Sequence, residues 1–271
     1  MDGSRDEPLL MAHGVCVGWP AGLQRDRPRH QAVDGVQLAL HAAESLGLLG
    51  ESDSGASLLA RALAGLVPLS GGALYWRGVP LRAGETGRCW PGLALPYLSG
   101  AARAALDPCC DGAAVLGEAL HCCAPSLPPR LVQTRMQAVL DRVGLPRRTL
   151  AAYPHALSGE ACVRLALARA LIVAPQGLLC DELLAGLDLL QQERLARLID
   201  GIRREYALSM LWVSQDAARA RTMVDRVAVM CRGRIVETGP AAVLYEAAAH
   251  PYTRALLSDR WLPSGWPGRS G

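Results

Sequence analysis

The sequence lacks several residue types altogether, and each absence limits what the chain can be. Its 271 residues include no lysine, no asparagine and no phenylalanine, so arginine supplies all 28 basic side chains. We attribute this bias to the codon usage of a GC-rich source. Such a bias turns a needed lysine into arginine and keeps its charge. A position where alanine replaces an expected lysine therefore no longer requires that charge.

Long apolar runs and blocks of charge are also missing. No run of about eighteen apolar residues occurs, and the N-terminal MDGSRDEPLL has neither the basic flank nor the apolar stretch of a signal peptide. We therefore expect a cytosolic chain. The formal net charge of +3, with no basic stripe, indicates that nucleic acid is not a partner.

Metal-binding cysteine patterns are absent too. The chain has nine cysteines, including the adjacent pairs Cys109–Cys110 and Cys122–Cys123, but none stands in a C-x-x-C pattern. In a reducing compartment we expect these residues to be small buried hydrophobic side chains. A metal site next to His121 is the less favoured alternative.

The pattern of apolar residues predicts an α/β protein. A chain of 271 residues can bury the core of one large domain with a smaller subdomain. Periodicity and breakers predict strands at 9–19, 32–40, 46–49 and 92–98, a hairpin strand and turn at 72–81, and helices at 56–66, 113–123 and 130–143. From residue 156 onward strands and helices alternate, which indicates a mainly parallel sheet covered by helices.

The stretch SLGLLGESDSGASLLARAL, residues 45–63, has the order strand, glycine-rich turn, helix. Gly50, Gly55 and Ser57 fit the phosphate-binding pattern G-x-x-x-x-G-K-[ST], in which backbone N–H groups and the helix N-terminus hold phosphate. Ala56 occupies the lysine position and Asp53 adds a carboxylate. We estimate that these two residues cost about 3 to 6 kcal/mol of phosphate binding, or roughly 100-fold to 10,000-fold in affinity. The other residues of the candidate turn are Glu51, Ser52 and Ser54.

Further motifs follow in a fixed order. They are LSGEACVRLALARAL (157–171), GLLCDELLAGLD (177–188), LWVSQDAARARTMVDRVAVMCRGRIVETGP (211–240) and HPYTRALL (250–257). Over nearly its full length the chain resembles the ATP-binding subunit of an ABC transporter, of the oligopeptide, dipeptide and nickel importer branch. The resemblance implies a P-loop NTPase fold with a mainly parallel core sheet, an antiparallel β subdomain and a helical subdomain.

This resemblance also implies a division of the chain into segments. Residues 1–99 would hold the first part of the ATP-binding core, with the antiparallel β subdomain and the glycine-rich turn. Residues 100–155 would form the helical subdomain. Residues 156–248 would complete the core, and 249–271 would hold the importer-branch motif and a tail.

The resemblance implies ATP and Mg²⁺ as cofactors. Ser57 and Asp181 match the residues that hold magnesium, and Glu182 matches the general base that activates water. The alternative is that Asp181 and Glu182 are only the polar end of a strand. Trp19 matches the aromatic residue that stacks on adenine, with plain packing equally favoured.

Two further positions depart from the family pattern. Gln215 replaces the switch histidine and cannot carry its positive charge. The expected glutamine after the strand at 92–98 is not evident, and either Tyr97 or Gly100 falls there.

The signature segment departs from the family as well. The resemblance implies that two subunits dimerise head to tail, so that the signature segment of each contacts the nucleotide held by the other. Ser158 and Gly159 match, but Glu160 replaces the second glycine and Ala161 the glutamine. A carboxylate facing a γ-phosphate is repulsive. We favour a helix that packs in the core over a working signature.

These departures predict a catalytically impaired cassette of a peptide importer, with nickel or a metal chelate as the second substrate class. The implied partners are an active second cassette, two membrane permease subunits and, indirectly, an extracytoplasmic binding protein. The expected location is the cytoplasmic face of the membrane. Two alternatives stay open. One is a working ATPase rescued by a residue such as Arg61, and the other is a soluble scaffold outside transport.

Overall fold

The computed structural model describes residues 7–18, 31–81 and 94–258. The chain forms two compact units, the first made of Met1–Trp90 and Leu211–Gly271 and the second of Pro91–Met210. Each unit combines strands with helices, so the predicted α/β class is confirmed. Within the described residues, no helix is both long enough and apolar enough to span a membrane.

The elements are numbered along the described chain. The strands are β1 Leu10–Gly18, β2 Gln31–Leu40, β3 Ser45–Leu49, β4 Gly71–Trp76, β5 Val79–Leu81, β6 Tyr97–Ser99, β7 Gly177–Asp181, β8 Ser209–Ser214, β9 Arg226–Cys231 and β10 Arg234–Pro240. The helices are α1 Ala56–Leu63, α2 Gly112–Cys123, α3 Pro129–Val143, α4 Gly159–Leu171, α5 Leu189–Tyr206, α6 Ala217–Met223, α7 Ala241–Ala247 and α8 Pro251–Leu257.

The first unit contains an antiparallel sheet in the order β2-β1-β4-β5. Buried and more exposed side chains alternate over much of β1, because successive residues of a strand face opposite sides of the sheet. The strands predicted at 9–19, 32–40 and 72–81 are found here. The last of these is a hairpin whose strands β4 and β5 pair through Trp76 and Val79.

A parallel arrangement in the same unit supports the glycine-rich turn. β3 pairs in parallel with β9, and β9 pairs antiparallel with β10. All five residues of β3 are buried, as expected for a parallel strand that is covered on both faces. The turn leaves the end of β3 and leads directly into α1.

Helix α1 is shorter than the sequence predicts, because a glycine ends it. It stops at Leu63 instead of residue 66. Gly65 adopts a φ of 76°, and the N–H of Leu66 donates to the carbonyl of Arg61 at 2.9 Å. This is the left-handed helix ending that glycine favours, and a continued apolar pattern does not override it.

The second unit holds the helical segment together with two parallel strands, β6 and β7. Helices α2 and α3 both contact α4, whose apolar residues are buried along most of its length. The APSLPP breaker, residues 124–129, separates α2 from α3, and its last residue, Pro129, is the first residue of α3. Gly144 ends α3 with a φ of 69°.

The strand predicted at 92–98 lies further along the chain. Residues 91–93 are outside the described part, and β6 begins only at Tyr97. Pro96 has no N–H to donate to a neighbouring strand, although its carbonyl accepts from Leu179 N at 3.0 Å. The ladder therefore starts one residue after the proline.

Candidate functional site

The glycine-rich turn is held by hydrogen bonds within the first unit. Ser54 N donates to the carbonyl of Glu51 at 3.0 Å, and Gly233 N donates to the carbonyl of Ser54 at 2.8 Å. Ala56 N donates weakly to Ser54 Oγ at 3.4 Å, and Ser54 is only 2% exposed. The short connection between β9 and β10, which contains Gly233, therefore helps to hold the glycine-rich turn in shape.

Both glycines of the pattern are required by the chain's own backbone. A Cβ on Gly50 would lie 2.5 Å from the carbonyl oxygen of Met230, and a Cβ on Gly55 would lie 2.4 Å from that of Ala32. Gly55 also has a φ of 93°, which other residues rarely adopt. These glycines would be retained whether or not the turn binds phosphate, so their presence does not indicate nucleotide binding.

The turn contains no positive charge. Residues 50–57 include two carboxylates, Glu51 and Asp53, and no arginine. Asp53 and Ser52 are exposed, whereas Ala56 begins α1 and is 6% exposed. Ser57, the next residue, is half-buried. Arg61 lies in the last turn of α1, at the end away from the glycine-rich turn.

The HPYTRALL segment reaches the glycine-rich turn, which the sequence does not predict. Tyr252, 4% exposed, accepts a hydrogen bond at its hydroxyl from Glu51 N at 3.4 Å. Burial raises the pKa of Tyr252 to about 12. Tyr252 N donates to His250 Nδ1 at 3.2 Å, and His250 N donates to the Glu237 carboxylate at 3.1 Å. The motif thus orients α8 and places a tyrosine against the turn.

We expect Tyr252→Phe to loosen this support. Loss of one neutral hydrogen bond should lower the free energy of unfolding by about 0.5 to 1.5 kcal/mol. Urea unfolding measures the change, and hydrogen exchange at Glu51 localises it to the turn. Tyr206→Phe is the matched control, because its hydroxyl contacts Glu205 on the surface. Equal stability and equal exchange in both variants would contradict this role for Tyr252.

The strand–helix junction after β8 carries Gln215. This residue is exposed and stands between Ser214 and the N-cap of α6, Asp216. Asp216 N donates to Ser214 Oγ at 3.0 Å, and Asp216 accepts from Arg219 N at 2.9 Å. The local turn is therefore stable without a histidine. The assignment of Gln215 to the switch position stays a prediction.

In the second unit, Asp181 ends β7 and is 5% exposed. Tyr97 Oη donates to Asp181 Oδ2 at 2.5 Å, and Gly100 N donates to the Asp181 carbonyl at 2.8 Å. The preceding residue, Cys180, is fully buried, and this burial raises the pKa of its thiol. The sequence gives no signal for the contact between Tyr97 and Asp181, since the two residues are 84 positions apart.

Glu182 has a strained backbone next to a glycine. Its φ is 48°, in the left-handed region. Gly100 lies so close that a Cβ there would be 2.1 Å from the Glu182 carbonyl oxygen. Gly100 is the first residue after β6, whereas Tyr97 is the first residue within it. This backbone arrangement explains why residue 100 has no side chain.

The signature segment begins α4. Ser158 is the N-cap, and its Oγ accepts from Ala161 N at 3.1 Å. Gly159 is the first helical residue. Glu160 accepts from Arg164 Nε at 2.9 Å, and the same pair forms an ion pair one helical turn apart. The Glu160 carboxylate is thus neutralised within its own helix, in the first turn where the helix dipole also favours negative charge.

The predicted site residues that the structure describes belong to two different compact units. The glycine-rich turn and Gln215 belong to the first unit, while Tyr97, Gly100, Asp181, Glu182 and the signature residues belong to the second. Trp19 lies outside the described residues. The proposed roles of these residues toward nucleotide and metal stay predictions.

The adjacent cysteine pairs do not match the expectation of burial. Cys109, Cys122 and Cys123 are exposed, because they lie in the loop before α2 and in the last turn of that helix. Cys162 and Cys180 are buried as expected. Among the residues that the structure describes, no group of three or more His, Cys, Asp or Glu side chains is placed to hold a metal ion.

The fold is shared with ABC transporter cassettes of known structure. The cbiO1 protein of Clostridium perfringens, part of the ABC transporter complex cbiONQ, superposes with a TM-score of 0.75 at 20% identity and covers 89% of this chain and 92% of that one. The cassette MJ0796, solved as a dimer in a post-hydrolysis state with ADP and Pi, gives a TM-score of 0.74 at 19% identity, covering 86% and 98%. These similarities define the class as an ATP-binding cassette fold.

Sequence comparison identifies the family. Residues 33–185 match the family described as ABC transporter. The chain is 35% identical over 235 residues to the oligopeptide transport ATP-binding protein OppF of Haemophilus influenzae, covering 86% of this chain and 70% of that protein. It is 32% identical over 267 residues to the glutathione import ATP-binding protein GsiA of Escherichia coli, covering 97% of this chain and 42% of that protein. The chain therefore belongs to the ABC transporter family.

Proposed function

We propose that this chain is the catalytically impaired ATP-binding-cassette subunit of a peptide importer. The observation that carries the proposal is a glycine-rich turn with no basic residue, in a chain that is 35% identical to an oligopeptide transport protein over 235 residues. The relatives' names concern oligopeptides and glutathione, itself a peptide, which supports peptide as the substrate class.

The residues of the turn fit a tightly held ATP–Mg²⁺ poorly. The two glycines of the pattern are accounted for by contacts with Met230 and Ala32, and the position that should carry a lysine is a nearly buried alanine. A phosphate group would also meet the exposed carboxylate of Asp53, without any cation in the turn to offset it. The residues of this chain therefore support no catalytic step on ATP.

An active second cassette supplies the hydrolysis in this proposal. The two cassettes would pair head to tail on the cytoplasmic face of the membrane, against two permease subunits that receive peptide from an extracytoplasmic binding protein. The partner's nucleotide would then face the signature segment of this chain. The ion pair between Glu160 and Arg164 reduces the repulsion that an unpaired carboxylate would exert there. This supports a passive but tolerated contribution to the partner's site.

Steady-state ATP hydrolysis tests the proposal. We expect no turnover above background for the purified chain, and turnover once the partner cassette and permease are added. Glu182→Gln in this chain should leave the rate of the complex unchanged, whereas the equivalent substitution in the partner should abolish it. Turnover by the chain alone that is lost in Glu182→Gln would show a working ATPase instead. Failure to co-purify with a permease would favour a scaffold outside transport.

A further inference from the structure

The carboxylate at the end of β7 has a protein partner inside the second unit. We propose that Asp181 acts as the hydrogen-bond acceptor that locks β6 onto β7 through Tyr97, in place of the magnesium contact that the family resemblance implies. This deepens the proposed function, since it adds a second cause of impairment at a distance in sequence from the glycine-rich turn. It concerns the role of Asp181 alone and is tested separately.

The geometry of the two strands directs the tyrosine toward the carboxylate. β6 and β7 are parallel, with Tyr97 opposite Leu179 and Ser99 opposite Asp181. Alternate residues share a face of a sheet, so Tyr97 and Asp181 project from the same face, one on each strand. The Tyr97 ring spans the two-residue offset, and its hydroxyl donates to Asp181 Oδ2 at 2.5 Å.

The contact joins a hydroxyl donor to a carboxylate acceptor. An O–H donor on an ionised carboxylate forms a short, charge-assisted hydrogen bond, roughly twice as strong as a neutral one. Asp181 is 5% exposed, so water competes little for the bond. An aspartate buried to this extent needs partners, and Tyr97 provides one of them.

The strand that carries Tyr97 needs such support. β6 has only three residues, Tyr97–Ser99, and follows a proline that cannot donate a hydrogen bond. Its backbone is tied to β7 at the far end, where Gly100 N donates to the Asp181 carbonyl at 2.8 Å. Asp181 therefore accepts two hydrogen bonds from this segment, one at its backbone carbonyl from Gly100 N and one at its side chain from Tyr97 Oη.

The same contact competes with a metal ion. Mg²⁺ binds carboxylate oxygens at about 2.0 to 2.1 Å and demands near-octahedral geometry. A cation bound at Asp181 Oδ2 would share that oxygen with the hydroxyl proton of Tyr97, and repulsion between the two positive charges would weaken the metal contact. The hydroxyl proton of Tyr97 thus places a partial positive charge at an oxygen to which a metal would otherwise bind.

A double-mutant cycle on the full-length chain tests the hydrogen bond between Tyr97 and Asp181. We expect Tyr97→Phe and Asp181→Asn each to lower the Tm by roughly 3 to 12 °C. The double variant should lose about as much as the larger single one, because both remove the same bond. Tyr153→Phe, at a residue 43% exposed, controls for loss of a tyrosine hydroxyl and should leave the Tm unchanged. Additive losses would overturn the proposal.

A second experiment tests the metal contact. It compares the Tm of the chain in the presence of ATP, with and without Mg²⁺. We expect Mg²⁺ to shift the Tm of the wild-type chain and of Asp181→Asn equally. A Mg²⁺-dependent stabilisation of the wild type that Asp181→Asn removes would assign Asp181 to the metal and overturn the proposal. If Asp181→Asn does not fold, Tyr97→Phe alone decides, because a Tm equal to that of Tyr153→Phe would also overturn it.

These outcomes are distinguishable from those of the hydrolysis assay. An additive cycle in a chain without ATPase activity overturns the lock and leaves the proposed function standing. A non-additive cycle in a chain that hydrolyses ATP by itself supports the bond between Tyr97 and Asp181 and overturns the proposed function.

Discussion

Replacement of Ala56 by lysine together with Asp53 by asparagine is expected to tighten ATP binding by about 100-fold to 10,000-fold. The lysine adds a charge-assisted contact to phosphate, and the asparagine removes a carboxylate whose repulsion at about 4 Å is on the order of 4 kcal/mol. The turn keeps its backbone shape, because the contacts of Gly50 and Gly55 with Met230 and Ala32 do not involve either side chain.

Calorimetric titration with ATP measures this gain. Leu66→Lys combined with Asp53→Asn is the matched control, since Leu66 is 61% exposed and lies just beyond α1. It adds the same charge without placing it in the turn and should show only the part of the gain that Asp53→Asn contributes. An unchanged affinity in the Ala56→Lys variant would mean that charge in the turn is not what limits nucleotide binding.

Gly100→Ala is expected to destabilise the second unit by about 3 kcal/mol, at the upper end of overpacking effects. The new Cβ would lie 2.1 Å from the carbonyl oxygen of Glu182, a backbone atom that cannot rotate away. Relief requires β6 to separate from the end of β7, where Gly100 N also donates its hydrogen bond. Urea unfolding of the full chain measures the loss.

Gly201→Ala is the control for the glycine substitution. Gly201 lies in α5, and apart from its chain neighbours and the backbone of its own helix, no atom of the described residues comes within 4 Å of the position that a Cβ would take there. The change should therefore stabilise the helix by about 0.5 to 1 kcal/mol. Opposite signs in the two variants would separate the contact at Glu182 from a general effect of alanine. A Gly100→Ala protein as stable as the wild type would show that β6 moves at no cost.

The sequence predicted most elements because their signals are local. The apolar run of β3, the proline at the start of α3 and the left-handed glycine after it all act within a few residues. The errors are local as well, since Gly65 ends α1 early and Pro96 delays β6. The ion pair of Glu160 and Arg164 also has a sequence signal, because residues four apart on a helix are neighbours.

The sequence by itself determined the α/β class, the family resemblance and the absence of a cation from the glycine-rich turn, since these depend on residue types and short spacings. Only the tertiary structure decided that Gly50 and Gly55 avoid clashes within the chain, that Tyr252 supports the turn and that Tyr97 holds Asp181. Such contacts join residues far apart in sequence. Their formation depends on which strands pair and in which register, and no local pattern encodes that.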